Sequence, residues 1–159
     1  MAANRETILQ ILQDVPQQHP FRFIDEILKL DEEHIVGAYR FREDEYFYPG
    51  HFPGQPITPG VILIETMAQT GVVAFGLYLH MKQTNMSLEK AHGMMTLFTL
   101  AEGVEFTGIV HPGERVIIRG QKIYFRMGNL KSKVSMEREN GETVSCGTLA
   151  GRGVPAGKF

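Results

Sequence analysis

The stretch from Pro49 to Leu79 constrains this chain more than any other. A loop built of proline and glycine runs straight into nineteen residues, Val61 to Leu79, without one lysine, arginine or aspartate. Pro49 to Gly60 holds four prolines and three glycines in twelve positions, a density that no helix or sheet interior tolerates. It is therefore a loop of restricted shape. The run behind it is long and apolar enough to raise a membrane span. Against a span stand Glu65, Gln69, Gly71 and Gly76, since a carboxylate at mid-membrane costs about 2.5 kcal/mol or more. A helix apolar on nearly all sides is otherwise a core helix wrapped by sheet, and that is the expectation here, with no membrane span.

The flanking residues can supply the wrapping. Residues 4–13 read as a short amphipathic helix, capped by Asn4, with Ile8, Leu9, Ile11 and Leu12 on one face. Pro16 and Pro20 stop it. Phe21 to Leu30 and His34 to Phe41 read as a hairpin about Asp31-Glu32-Glu33. From residue 94 the texture is β, with strands expected at Met95–Phe106, Arg115–Phe125, Leu130–Glu139 and Thr143–Gly151. The turn residues between them include Gly128-Asn129 and Asn140-Gly141. The chain is thus expected to be one α+β domain over residues 1–159: a mainly antiparallel sheet curled around a single long central helix. One such layer leaves the helix partly uncovered, so a partner subunit is expected.

Composition narrows the function. The chain has 159 residues, room for one core, and a net charge of −2 with no basic run, so nucleic acid is not an expected partner. Cys146 is the only cysteine, which excludes an internal disulfide and any multi-cysteine metal site. It reads as a small buried hydrophobe. With no signal-peptide pattern at the N-terminus, a cytoplasmic location is expected. No phosphate loop, dinucleotide fingerprint or serine elbow occurs, so no cofactor is expected. His19, His34, His80, His92 and His111 lack metal-ligand spacing and read as structural or exposed; no metal is expected.

Three features can carry chemistry. Thr58-Pro59-Gly60 reads as a helix start: Thr58 as cap, Pro59 at the first helical position, Gly60 open to close approach. Its first-turn N–H groups lack intrahelical partners and face outward at the positive end of the dipole, suited to a carbonyl oxygen gaining charge. Glu65 lies a turn further on, where a carboxyl group among apolar neighbours must be paired or must hold its proton. A proton-holding carboxyl is what a general acid needs; a structural Glu satisfied at a helix end is the alternative. Gln69 shares its face, as an orienting group or as a bridge to a neighbouring strand. His51, in the stiff loop, is a candidate base, or else a surface histidine.

The run Gly50-His51-Phe52-Pro53-Gly54-Gln55-Pro56-Ile57-Thr58-Pro59-Gly60-Val61, continued by Ile62 to Gln69, closely resembles the signature of the 3-hydroxyacyl-acyl-carrier-protein dehydratases. It is similar to the FabZ type rather than the FabA type, because Glu65 stands where the latter carries aspartate. The likeness covers nearly the whole chain. Pro16 to Ile27, with Asp25, resembles the family's opening, and Phe106 to Arg115, with His111-Pro112-Gly113-Glu114, its later strand and turn. The resemblance implies a hot-dog fold and a catalytic homodimer, often a trimer of dimers, in which the histidine of one subunit meets the glutamate of the other. It implies His51 as base at C2 of the thioester, Glu65 as acid to the 3-hydroxyl, and Gly60 N–H on the carbonyl. Phe52, Pro59, Val61 and Gln69 would border the substrate, which an acyl carrier protein would deliver; no metal or organic cofactor is implied. Two positions depart from the pattern. Glu105 stands where a Lys or Arg usually meets the acidic carrier, and Leu97 where some members have a tyrosine gating the acyl tunnel. Polyketide or modified-lipid synthesis therefore stands beside fatty-acid synthesis as a setting. A hot-dog thioesterase and a non-catalytic acyl-binding subunit are the competing readings; the first leaves His51 unexplained, and the second usually goes with a lost acid or base.

Overall fold

A computed structural model describes residues 1–85 and 93–157; His92 falls outside them. Helix α1 (Arg5–Asp14) opens the chain, and the Asn4 side chain accepts from Thr7 N at 2.8 Å as its cap. Ile11 is buried, with Ile8 and Leu12 packed beside it, whereas Leu9 points to solvent and is not part of that face.

Strands β1 (Glu26–Leu30) and β2 (His34–Arg40) form the expected hairpin, its turn fixed by the Asp31 carboxylate accepting from the N–H groups of Glu33 and His34. The first strand begins later than the apolar pattern predicts. Residues 21–25 instead cross the central helix as a strap, because Gln69 takes the hydrogen bonds a neighbouring strand would have supplied: its amide oxygen accepts from Phe23 N (2.6 Å) and its amide nitrogen donates to Phe21 O (2.9 Å).

The apolar run becomes helix α2 (Gly60–Thr84), which passes a length and composition test for a membrane span yet is largely buried within this chain. Residues Gln69–Ala74 are wound as a π-helix, every one buried. Sequence periodicity does not foretell this widened turn. It sits where helix and sheet backbones nearly touch: a Cβ on Gly71 would lie 2.6 Å from Val134 Cγ2, and one on Gly120 would lie 3.2 Å from Gly71 Cα.

Strands β3 (Met94–Phe106), β4 (Arg115–Arg126), β5 (Asn129–Arg138) and β6 (Thr143–Pro155) complete one six-stranded antiparallel sheet in the order β1-β2-β4-β5-β6-β3. Met127 and Gly128, both at positive φ, make the β4–β5 turn one residue earlier than predicted. Strand β6 continues past Gly151 to Pro155 because the start of β3 lies opposite it, Met94 pairing with Pro155. The sheet curls about α2 without closing, which is the hot-dog arrangement, and β3 is left as a long edge strand.

Two core clusters flank α2. One gathers Phe23, Tyr39, Phe41 and Tyr48 with Ile62, Leu63 and Met67 under the proline-rich loop. The other packs Ile11, Ile24, Leu30, Ile35, Val73, Phe75 and Leu79 under the second half of the helix. Cys146, expected to be buried, is only partly so.

Candidate active site

The loop before α2 is held by its own backbone. His51 N donates to Tyr48 O (3.2 Å), Ile57 N to His51 O (2.9 Å), Phe52 and Gln55 exchange a pair of bonds, and Thr58 N donates to Val110 O (2.9 Å). The His51 ring stacks on Phe52 with centroids 4.1 Å apart, and its Nδ1 lies 3.0 Å from Ile57 O. A carbonyl oxygen can only accept, so Nδ1 carries the hydrogen and the neutral ring presents Nε2 as an acceptor. That is the tautomer a base requires.

Thr58 does not cap α2. Its hydroxyl bonds the Tyr48 phenol at 2.7 Å, Pro59 becomes the cap residue, and Gly60 the first helical residue. Pro59 O accepts from Ile62 and Leu63, which leaves the N–H groups of Gly60 and Val61 without intrahelical acceptors. The Phe106 ring lies against this turn, 3.2 Å from where a Cβ on Gly60 would sit. Burial pushes the Tyr48 phenol up to about 12, so at neutral pH it remains a hydrogen-bonding hydroxyl.

Glu65 is half-buried one turn inside α2, and the Gln69 amide donates to its Oε1 at 2.9 Å. Burial raises its pKa, outweighing the opposite pull of that hydrogen bond. Both amide hydrogens of Gln69 are used, one on Glu65 and one on Phe21 O. Gln69 therefore both bridges to the strap and holds the Glu65 carboxyl.

Beside Glu65 lies a cavity of about 30 Å³ whose walls include Gln17, Val72, Thr96, Phe98 and Gly151. Val72, Thr96 and Gly151 also line a second cavity of about 310 Å³ that continues along α2 between Gly76, Leu77, Met94, Phe125 and Leu130, reaching His80. The two cavities thus share walls along α2, the smaller one beside Glu65. A further depression of about 580 Å³ lies on the sheet among Lys29, Arg119, Lys133 and Cys146, with neither His51 nor Glu65 in its walls.

Within one protomer no hydrogen bond or ion pair joins His51 to Glu65. Pro59 and Gly60 stand at the helix start and Gln69 bonds Glu65, whereas Phe52 and Val61 are 52% and 72% exposed; none of these, nor His51, lines either cavity. Sequence reasoning missed Gln17, Thr96 and Phe106 at the site. Gln17 lies far from Glu65 in the chain, and only the strap crossing α2 brings it in. Among the described residues no group of three or more His, Cys, Asp or Glu could hold a metal ion.

The model of the FabA-like domain matches residues 15–145. A relative from Acetivibrio thermocellus, named 3-hydroxyacyl-[acyl-carrier-protein] dehydratase FabZ, is 33% identical over 144 residues, covering 90% of this chain and 91% of the relative. One of the same name from Syntrophobacter fumaroxidans is 38% identical over 122 residues, 76% of each chain. Among solved structures, the dehydratase heterocomplex ApeI:P of Xenorhabdus doucetiae superposes with a TM-score of 0.73 at 15% identity, over 93% of this chain and 91% of that one. A hypothetical thioesterase with coenzyme A from Streptococcus pneumoniae gives 0.55 at 12% identity, over 97% and 98%. At such identities the two structures speak for the fold alone.

Proposed function

The chain belongs to the FabA-like family, with FabZ dehydratases among its relatives, and from that premise we propose that it removes water from 3-hydroxyacyl-acyl-carrier-protein to give the trans-2-enoyl thioester, in fatty-acid synthesis or a related acyl pathway. The observation that carries this reading is Glu65, a carboxyl whose pKa burial raises, beside two cavities that share walls along α2 and that this reading joins into one acyl channel.

The acyl chain occupies the channel along α2. The thioester carbonyl meets the free N–H of Gly60, which polarises it and acidifies C2. His51 Nε2 takes the C2 proton, the C3–O bond breaks, and Glu65 delivers its proton to the departing oxygen. Gln69 keeps the carboxyl aimed.

The two groups come from two subunits. Strand β3 is an edge thirteen residues long, with Leu97, Phe98 and Phe106 each more than two-fifths exposed. A long, unpaired, apolar edge calls for cover, and a second copy placed there brings the loop of one subunit toward the acid of the other. A trimer of such dimers is the proposed assembly, working in the cytosol with a single free cysteine. Glu105 is exposed on the same strand, so this carrier contact lacks a cation that would attract an acidic partner.

The test is an assay on short, medium and long 3-hydroxyacyl groups, carried by acyl carrier protein and by coenzyme A. Enoyl product is expected, fastest on the carrier protein. Release of free thiol without enoyl product would make the chain a thioesterase, and binding without turnover a non-catalytic subunit.

A further inference from the structure

Glycine inside a helix is less favourable than alanine, so its use there calls for a reason in the packing. Helix α2 holds two interior glycines, and their surroundings differ. A Cβ on Gly71 would lie 2.6 Å from Val134 Cγ2 and 3.1 Å from Val134 Cγ1, so the helix–sheet contact requires a glycine. Beyond its own helix, and among the described residues, a Cβ on Gly76 would have one neighbour within 4 Å: Leu130 Cδ2, at an ordinary contact distance of 3.8 Å. Gly76 is partly exposed and lies in the wall of the cavity of about 310 Å³. The place of its side chain is therefore empty space inside that cavity.

The position of this space along the helix gives it a meaning. Val72, Gly76, His80 and Thr84 follow at four-residue steps, so one face of α2 runs the length of the cavity. Met94, Phe125 and Leu130 line it from the sheet. Val72, at the near end, is also a wall of the small cavity beside Glu65. At a rise of about 1.5 Å per residue, Gly76 lies roughly 16 Å along the helix from Glu65. An extended alkyl chain advances about 1.3 Å per carbon, from its bond length and near-tetrahedral angle, and needs about a dozen carbons to cover that distance. A long acyl chain lying along α2 brings its tail to Gly76, and a short one does not reach it.

We propose that Gly76 determines acyl-length specificity, its missing side chain keeping the cavity open to the tail of a long-chain 3-hydroxyacyl thioester. The inference rests on the dehydratase reading above and deepens it by naming the substrate class. The walls suit such a tail: Leu77, Met94, Phe125 and Leu130 supply apolar side chains, and among the described residues no Lys, Arg, Asp or Glu lines the cavity. Gly76 takes no part in the bond-breaking steps. It acts by leaving volume where a larger residue would stop the chain.

The test compares Gly76→Leu with wild type in the assembled enzyme, on two carrier-bound substrates, 3-hydroxybutyryl and 3-hydroxyhexadecanoyl. The quantity read is the ratio of kcat/KM on the long substrate to kcat/KM on the short one, with a melting curve beside it. The expected result is a fall in that ratio of roughly 10- to 100-fold, in a variant that melts near or above wild type because leucine is the better helix former. An unchanged ratio overturns the proposal, whether both rates are kept or both are lost together. Should Gly76→Leu fail to fold, Gly76→Ala goes through the same assays, with a fall of about threefold expected and an unchanged ratio again decisive against. A wild-type enzyme that dehydrates neither substrate fails the parent reading and this one with it. A wild type active on the short substrate and inactive on the long one fails this inference alone.

Discussion

The two halves of the core around α2 are built differently. Beneath the loop, Phe23 and Phe41 each pack edge to face on Tyr39, the Tyr39 and Phe41 centroids 5.0 Å apart at 88°, and Tyr48 packs likewise on Phe47. Polar groups are buried among them: Tyr39 donates to Glu45 at 2.6 Å, Glu45 pairs with Arg42, and Tyr48 bonds Thr58. Beneath the second half of α2 the filling is mostly Ile, Leu and Val, with Phe75 and Tyr78. Aliphatic side chains fill volume without fixing direction. Aromatic rings with hydrogen-bonded hydroxyls fix both, and the half that has them is the half that carries His51. The loop half is therefore built for geometry, the other half for stability.

The largest effect should confine itself to the first half. His51→Ala and Glu65→Gln are each expected to lower kcat/KM by about a thousandfold or more while the protein still folds and assembles. Each rate needs a melting curve beside it, because a matching loss of stability would erase the distinction between the halves. Near-normal turnover in either variant would remove the residue from the mechanism.

The reverse pattern is expected on the other side. Phe75→Ala empties a fully buried site and should cost about 3–5 kcal/mol in chemical denaturation, with kcat per folded molecule little changed. If turnover fell as far as stability, the aliphatic half would be setting geometry as well.

How much of this was legible in the sequence follows the same division. The apolar run announced α2, and the β texture with its turn residues announced β2 to β5 to within a residue, since both signals are local, whereas β1 starts five residues later and β6 ends four residues later than the sequence suggests. The turn at Met127-Gly128 was displaced by one residue because either neighbour of Gly128 satisfies the pattern, and only strand register decides. The strap at residues 21–25 was misread as strand, because its apolar residues are buried as a strand's would be while its bonds go to a side chain, Gln69. The π turn depends on how closely Gly71 and Gly120 bring helix and sheet together, which is a tertiary fact. At the site, Glu65 stood out as a carboxyl in an apolar run, and His51 through the family signature around it. Gln17 did not, because a glutamine after a proline is ordinary until the fold lays it over an acid.

A smaller effect sharpens the comparison within the loop half. Tyr48→Phe strips the partner from the buried Thr58 hydroxyl and should lower stability by about 1 kcal/mol. Because that bond ties the two ends of the loop together, kcat should fall roughly tenfold while KM stays near wild type. A variant that lost stability but kept kcat would show that the backbone bonds of the loop suffice to place His51.

The smallest effect concerns the one group that belongs to both accounts. Burial holds the folded-state pKa of Glu65 above its unfolded value, so folding favours the protonated form. The stability this group contributes is fully present below the ordinary carboxylate pKa, about 4.3, and is lost as pH rises through the raised folded value. Glu65→Gln carries no such proton, so the wild type should lose stability relative to the variant across that window and be the less stable of the two above it. In the proposed mechanism the same proton is delivered to the leaving hydroxyl, and kcat should therefore fall with rising pH around the same midpoint. Melting curves of both proteins and the pH profile of kcat can be laid on one axis. Coincident midpoints would identify the proton that burial stabilises with the proton that catalysis spends; separated midpoints would assign the alkaline limb of the rate to another group.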